Sequence, residues 1–424
     1  MDNLVEKEKS LANSKIREVF TPFSPVKRSD LLSGREREIS QVLSIINTPG
    51  QHALIYGDRG IGKSSVANII SEMMRESFDR AVYVKKCSSL DTFKNIVEKA
   101  LLQLGFNANS SESIEETHEN KGAKAGIAGF GANLQSSKKI SNKVDYDTLF
   151  NSPSRVADCL INKEALLVID EADLLQNETT KIKLAEFIKY LSDLNSKLKV
   201  LIVGIGHTGN EMVSHHPSIE RCLSEVHLPP ISLLELRNII TTGCKEIEID
   251  FNNDVIDDIV DISCGYPHFV HLIALKCAED AFLSGTKNVD EDTLPRALKL
   301  AVENSEGGLR RTYEVAVKLN NCISRKVLLA ASLCHSRGFL VSELCEMTNE
   351  AIDKDISKAS IRSVVSRWIN DESLNMLSRV ERGHYRFTDP RMMSFIKMVN
   401  GFTYDKKTIV ADILREEYSK RYVG

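Results

Sequence analysis

Gly57-Asp58-Arg59-Gly60-Ile61-Gly62-Lys63-Ser64-Ser65 follows the apolar run Ala53-Leu54-Ile55-Tyr56 and precedes Val66, Ala67, Ile69, Ile70 and Met73 at helical spacing. The order predicts a strand, a loop and a helix. Glycines at 57, 60 and 62 open backbone torsions closed to other residues, so successive N–H groups turn inward as an anion cup. The spacing G-x-x-x-x-G-K-[ST] places Lys63 to reach the β and γ phosphates of a nucleoside triphosphate and the Ser64 hydroxyl to coordinate Mg²⁺. The helix opening near Lys63 adds the positive end of its dipole. A glycine-rich turn matching by chance would lack this flanking strand and helix.

About a hundred residues later the continuous apolar run Ala165-Leu166-Leu167-Val168-Ile169 ends in Asp170-Glu171-Ala172-Asp173. A buried parallel strand delivers acids to a sheet edge in this way. Asp170 is expected to hold Mg²⁺ through water beside Ser64, and Glu171 to orient and polarise the attacking water. Phosphoryl transfer needs positioning and charge neutralisation more than covalent chemistry. Read alone, the acids would equally suit an acidic cap on a helix start.

The 424 residues are 42% hydrophobic and 27% charged, enough to bury two or three cores of ordinary size. No apolar segment approaches the roughly 20 residues needed to cross a bilayer, and residues 1–9 lack a signal peptide's apolar core. A cytoplasmic chain without membrane contact is the expectation. The nine cysteines include no C-x-x-C pair and read as reduced core residues. Charge is uneven: lysine and arginine outnumber acids 17 to 13 over residues 321–424, while the whole chain is net −4. A mild excess of this kind hints at an anionic partner for that end only.

Residues 1–29 read as an N-terminal extension, with Pro22 and Pro25 imposing an extended segment on its later part. From residue 30 to 231, strands alternate with helices. Ile39, Val42, Leu43, Ile45 and Ile46 mark a helix, Ala81 to Val84 a buried strand and Phe93 to Leu104 its crossover helix. A helix over 181–194 precedes the strand Lys199 to Gly204, and Val226 to Leu228 forms another strand. This pattern predicts an α/β fold, a three-layer parallel sheet with its ligand at the carboxyl ends of the strands. Periodicity lapses over 107–145, read as a flexible insert that is either a partner contact or a solvated excursion. Residues 232–304 carry helical spacing with no strand, a helical lid, and 305–320 read as a linker. His215-His216 have no third ligand at suitable spacing, so no metal site is expected there. His268 and His271, three apart on one helix, read as structural. No second phosphate loop follows residue 230, which argues against a two-core helicase.

These features resemble the AAA+ ATPases, and within them the initiator or origin-recognition branch, over about residues 15–300. Gly34-Arg35-Glu36 is similar to that family's adenine-side motif, and residues 57–64 and 169–171 to its two Walker motifs. The resemblance implies an ATP-binding and hydrolysing core with Gly34, Arg35 and residues 57–65 around the nucleotide. It places His207 and Thr208 where the family has its first polar sensor, without the usual asparagine. It places Arg221 where an arginine finger reaches a neighbouring subunit's γ-phosphate, a role suited to a permanently charged, multidentate group. A surface or capping arginine is the other reading of Arg221. Cys264-Gly265-Tyr266-Pro267-His268 stands where a second sensor usually supplies arginine, which puts lid sensing in doubt.

Residues 321–400 show the pattern of a winged helix-turn-helix, followed by a helical tail at 401–424. Three helices (325–334, 341–347, 357–369) lead into a hairpin around Gly383. The third helix carries Lys358, Arg362 and Arg367 among serines, and the hairpin carries Arg379, Arg382 and Arg386. Such basic residues suit phosphates of duplex DNA met from one face. Winged helices also act as protein adaptors, and a switch of the STAND type holding a protein partner is the alternative. A homo-oligomer or a protein partner accompanies either reading. Trp368, beside Val364, Val365 and Ile369, reads as core rather than as a base-stacking platform.

Overall fold

The computed structural model describes residues 14–26, 28, 31–105, 146–205, 217–318, 321–334, 338–371, 374–381 and 383–401. The expected insert at 107–145 and, beyond residue 401, the expected helical tail lie outside them. The first part runs α1 (Glu36–Asn47), β1 (His52–Tyr56), α2 (Lys63–Glu76), β2 (Ala81–Lys86), α3 (Phe93–Gln103), α4 (Tyr146–Leu149), α5 (Pro153–Leu160), β3 (Ala165–Asp170), α6 (Glu178–Asp193), β4 (Lys199–Gly204) and β5 (Leu223–His227).

The five strands form one parallel sheet in the order β2-β3-β4-β1-β5. The pleat sends successive residues to opposite faces. Ala53, Ile55, Leu166, Val168, Leu201 and Val203 enter one core, and Leu54, Leu167, Ile169, Val200 and Ile202 enter the other. Both faces are covered, which is why β3 and β4 are buried throughout and carry continuous apolar runs rather than alternating. β2 departs from the expected buried strand: it is the sheet edge, and none of its six residues is fully buried. Its lysines at 85 and 86 suit an edge that must not pair with another chain.

Beyond β5 come α7 (Leu233–Ile247), β6 (Asp250–Phe251), α8 (Asn253–Ser263), α9 (Pro267–Leu283), β7 (Asn288–Val289) and α10 (Thr293–Asn304). Ser232 and Glu235 close a capping box that starts α7. Helices dominate, yet β6 and β7 form a two-residue parallel clip that helical spacing did not reveal. The segment read as a linker contains a helix, α11 (Gly307–Lys318), which buries Leu309, Tyr313, Ala316 and Val317. An amphipathic stretch of that length reads as a spacer only while its partner surface is unknown.

The last part comprises α12 (Asn321–Leu333), β8 (Phe339–Leu340), α13 (Val341–Met347), α14 (Lys358–Asn370), β9 (Leu377–Glu381), β10 (His384–Phe387) and α15 (Met392–Val399). β8, β10 and β9 form an antiparallel three-stranded sheet. Trp368 is fully buried and donates its indole N–H to the Ala316 carbonyl. One hydrophobic core runs from the parallel sheet through α7–α10 into these helices. All nine cysteines are free thiols. No helix among the described residues is long and apolar enough to cross a membrane.

The N-terminal residues 14–26 are packed against α7 and α9. Ile16, Val19 and Phe20 are buried, and the Phe20 ring occupies a slot where a Cβ on Gly243 would lie 2.5 Å from it. Thr21 N–H donates to His271 Nδ1, and the Pro22 carbonyl meets His268 Nδ1. A buried histidine also joins β1 to β4: the Val200 N–H donates to His52 Nδ1, which leaves the neutral ring. Burial drives the pKa of His52 down to about 3 and that of His271 down to about 4. The unfolded chain takes up these protons near pH 6.5 and the native chain refuses them, so stability is full above pH 6.5 and falls as pH drops toward 3. At pH 5 each ring is expected to cost about 2 kcal/mol. Thermal unfolding measured from pH 7.5 to 4.5 should show a falling midpoint, with a shallower fall for His52→Asn.

Candidate functional site

β1 ends at Tyr56 and the chain turns at once into the loop 57–62, because Gly57 passes so close to Leu228 that a Cβ would lie 2.6 Å from its carbonyl oxygen. Gly62 takes a left-handed conformation and opens α2 at Lys63. Lys63 Nζ donates to the carbonyls of Gly57 (2.9 Å) and Asp58 (2.8 Å). Burial lowers the Lys63 pKa, and Asp173, Asp58 and Asp170 oppose that shift.

β3 carries the second half of the site. Ser64 Oγ donates to Asp170 Oδ1 at 3.1 Å, and the same oxygen accepts the Glu171 N–H at 2.9 Å. Asp170 is buried, while Glu171 is exposed and held at φ +58°. A side-chain-bearing residue in the left-handed region carries strain of order 1 kcal/mol, which the Asp170 bond helps to hold. Ser64 and Asp170 present two hard oxygens side by side, the donor set Mg²⁺ takes when phosphates and waters complete its octahedron. Among the described residues no group of three or more His, Cys, Asp or Glu is gathered as a metal site.

These groups open into a cavity of about 410 Å³. Its lining includes the charged and polar Arg59, Lys63, Ser64, Asp170, Glu171 and Asp173 and the apolar Val26, Leu31, Leu32, Ile231, Ile239 and Pro267. A lining that mixes charged groups with apolar side chains suits a polyanion joined to a flat heterocycle. Residues 21–26 form one wall, and the Val26 N–H donates to Ser65 Oγ, tying that wall to α2. The sequence placed no site residue in this segment: the two prolines signal an extended chain and nothing about what it covers. His268, His271 and Glu306 also border the cavity and were likewise missed as site residues.

Arg59, Gly60, Ile61, Gly62, Lys63, Ser64, Ser65 and Arg35 all border this cavity, together with Asp170 and Glu171. Gly57 and Asp58 do not, and Asp58 instead accepts the Tyr266 hydroxyl at 3.0 Å. Gly34 is turned from it as well, its Cα under the Glu235 side chain. Arg35 is buried and donates Nη2 to the carbonyls of Ile61 (3.1 Å) and Pro229 (2.7 Å), bracing the loop against the chain after β5. His207 lies outside the described residues. Arg221 is exposed, and its carbonyl accepts from Gln51, beside the amino ends of β1 and β5 and away from the phosphate loop. This chain therefore does not bring Arg221 to its own cavity.

In the last part, Lys358, Arg362, Arg379 and Arg386 are exposed. Arg362 and Arg379 border one cavity of about 470 Å³ with Tyr385 and Asn370, between α14 and the β9–β10 hairpin. Arg367, expected beside them, is turned inward instead and donates to the Ala316 carbonyl (2.7 Å) and Ser324 Oγ (3.1 Å). Helical spacing explains the correction, since residue 367 lies near Val364 and Trp368 on the buried stripe. Arg382 is outside the described residues.

The family model described as AAA ATPase domain matches residues 31–203. That span holds the loop, Asp170 and Glu171. No curated protein matches the chain's sequence. Among solved structures, a Walker-type ATPase of Pyrococcus abyssi is 15% identical with a TM-score of 0.50, over 89% of this chain and 99% of that one. The ORC2 protein of Aeropyrum pernix, solved as ADPNP-ADP complexes, is 15% identical with a TM-score of 0.50, over 91% and 97%. At such identity the likeness is one of fold: the chain has an α/β fold with a five-stranded parallel sheet, similar to P-loop AAA+ ATPases, and its residues 31–203 match their ATPase domain.

Proposed function

We propose that this chain binds ATP with Mg²⁺ in the 410 Å³ cavity, hydrolyses it, and couples its nucleotide state to duplex DNA through a C-terminal winged helix. The observation that carries the first half is the 3.1 Å approach of Ser64 Oγ to Asp170 Oδ1 beside the loop N–H groups. The loop and the start of α2 hold the phosphates, and Lys63 exchanges its backbone carbonyls for phosphate oxygens. Ser64 and Asp170 would hold Mg²⁺, which when bound neutralises phosphate charge. Glu171, exposed at the cavity and fixed by its N–H bond to Asp170, orients the attacking water. The apolar walls take the base. Arg221, exposed on another face, acts on the nucleotide site of a second copy, and the active form is a homo-oligomer or a complex with a protein partner.

The second half rests on the order α12, β8, α13, α14, β9, β10, which is that of a winged helix-turn-helix. Arg362 and Arg379 converge from helix and wing on one cavity, with Lys358 and Arg386 exposed nearby in sequence. Permanently charged guanidiniums from two elements suit the two edges of a groove. A second reading keeps the ATPase and gives this module a protein partner, as in a STAND-like switch. It is favoured by the module's own docking: Lys397 donates to the Asp261 carboxylate at 2.9 Å and Ser394 to the Ser263 carbonyl at 3.0 Å.

Phosphate release by Lys63→Ala should fall roughly 100-fold or more. Glu171→Gln should bind nucleotide normally and lose turnover to a similar extent; turnover at the wild-type rate would contradict the assignment. For DNA, binding titrations over salt should show a slope that Arg362→Ala with Arg386→Ala lowers by about two. Arg367→Ala should leave that slope alone and lower stability by about 1–3 kcal/mol, because it removes two part-buried hydrogen bonds of a charged donor. Duplex affinity absent at low salt, with a stoichiometric protein partner recovered, would select the second reading.

A further inference from the structure

Arg391 stands at the junction of the C-terminal part, the lid helices and the phosphate loop. Its side chain is 3% exposed. Nε and Nη2 donate to Asp389 Oδ1 (3.0 Å) and Oδ2 (2.7 Å), and Nη1 donates to Glu306 Oε1 at 2.5 Å. Glu306 borders the nucleotide cavity from between α10 and α11. The stem of Arg391 covers the tip of the phosphate loop: a Cβ on Gly60 would lie 3.2 Å from Arg391 Cδ and 3.5 Å from His268 Cβ. Gly60, at φ +79°, is thus both left-handed and capped by two other parts of the chain.

α15, which Arg391 opens, is bonded to the lid at Asp261 and Ser263, four and two residues before Gly265. Tyr266 in turn donates to Asp58 of the loop. Two routes therefore run from α15 to the phosphate loop, one through the lid and one through Arg391 itself. One guanidinium between two carboxylates leaves the cluster net −1 at the rim of a cavity read as taking a polyanion. A phosphate chain there repels Glu306 and attracts the arginine, so it acts on the contacts that hold α15 in place.

We propose that Arg391 is the positioning residue that couples nucleotide in the cavity to the docking of the C-terminal module. The proposal rests on the nucleotide reading above. Coupling is reciprocal: if docking raises nucleotide affinity, nucleotide strengthens docking by the same factor.

The test uses the full chain, with a fluorescent ADP for affinity and hydrogen exchange of residues 392–399 with and without ADP. Wild type should show an ADP-dependent change in exchange. Arg391→Ala should abolish that difference and weaken ADP about tenfold, within the usual range of coupling, and Arg391→Lys should restore part of both. Glu306→Gln, which keeps size and removes the rim charge, should tighten ADP several-fold and serves if Arg391→Ala fails to fold. Faster exchange that is equal with and without ADP, at unchanged affinity, would mark Arg391 as merely structural and overturn the coupling. Lys63→Ala separates the two layers: binding that is lost in Lys63→Ala but indifferent to Arg391→Ala and Glu306→Gln sinks only the coupling. Binding indifferent to Lys63→Ala sinks the nucleotide reading and the coupling with it.

Discussion

The hydrogen bond from Ser64 to Asp170 joins residues 106 apart in sequence, and the geometry of the cavity depends on it. It forms only because the order β2-β3-β4-β1-β5 puts one strand between β1 and β3, so that α2 crosses toward the end of β3. All five carboxyl ends then lie along one edge, where the loop N–H groups and the Asp170 carboxylate meet. An acid buried at that edge is tolerable because a hydroxyl and a backbone N–H satisfy it.

Around this edge the chain assembles walls from distant segments. Residues 21–26 come from the amino end, Ile231 and Ile239 from the chain after β5, and Glu306 from between α10 and α11. Each wall is tied to another part: Val26 to Ser65, Thr21 to His271, Arg35 to Ile61 and Pro229, Tyr266 to Asp58. Because one hydrophobic core passes from the sheet through α7–α10 into α12–α15, a displacement of α7–α10 would carry the C-terminal part with it. Close-packed interiors transmit displacement instead of absorbing it.

The charged groups fall into two kinds that residue type alone does not distinguish. Lys358 and Arg362 lie on the solvent face of α14, while Arg367, on the same helix and of the same residue type as Arg362, spends its donors on Ala316 and Ser324. Arg35 was read for its place beside a nucleotide base, and it braces backbone carbonyls as well. Arg391 belongs to no local motif, and its partners at 306 and 60 are set entirely by packing.

Sequence alone determined the elements whose causes are local. Glycine spacing and the lysine after it specify an anion-binding turn, apolar runs that end in acids specify buried strands, and capping and periodicity specify most helices. The five-strand α/β sheet, the loop, Asp170 and Glu171 were legible for that reason. Tertiary structure decided which strand is an edge, that residues 307–318 are a packed helix, which arginines face solvent, and that the cavity borrows walls from residues 21–26 and 306. Those features depend on contacts between segments far apart in the chain, whose partners become specified only when the cores close.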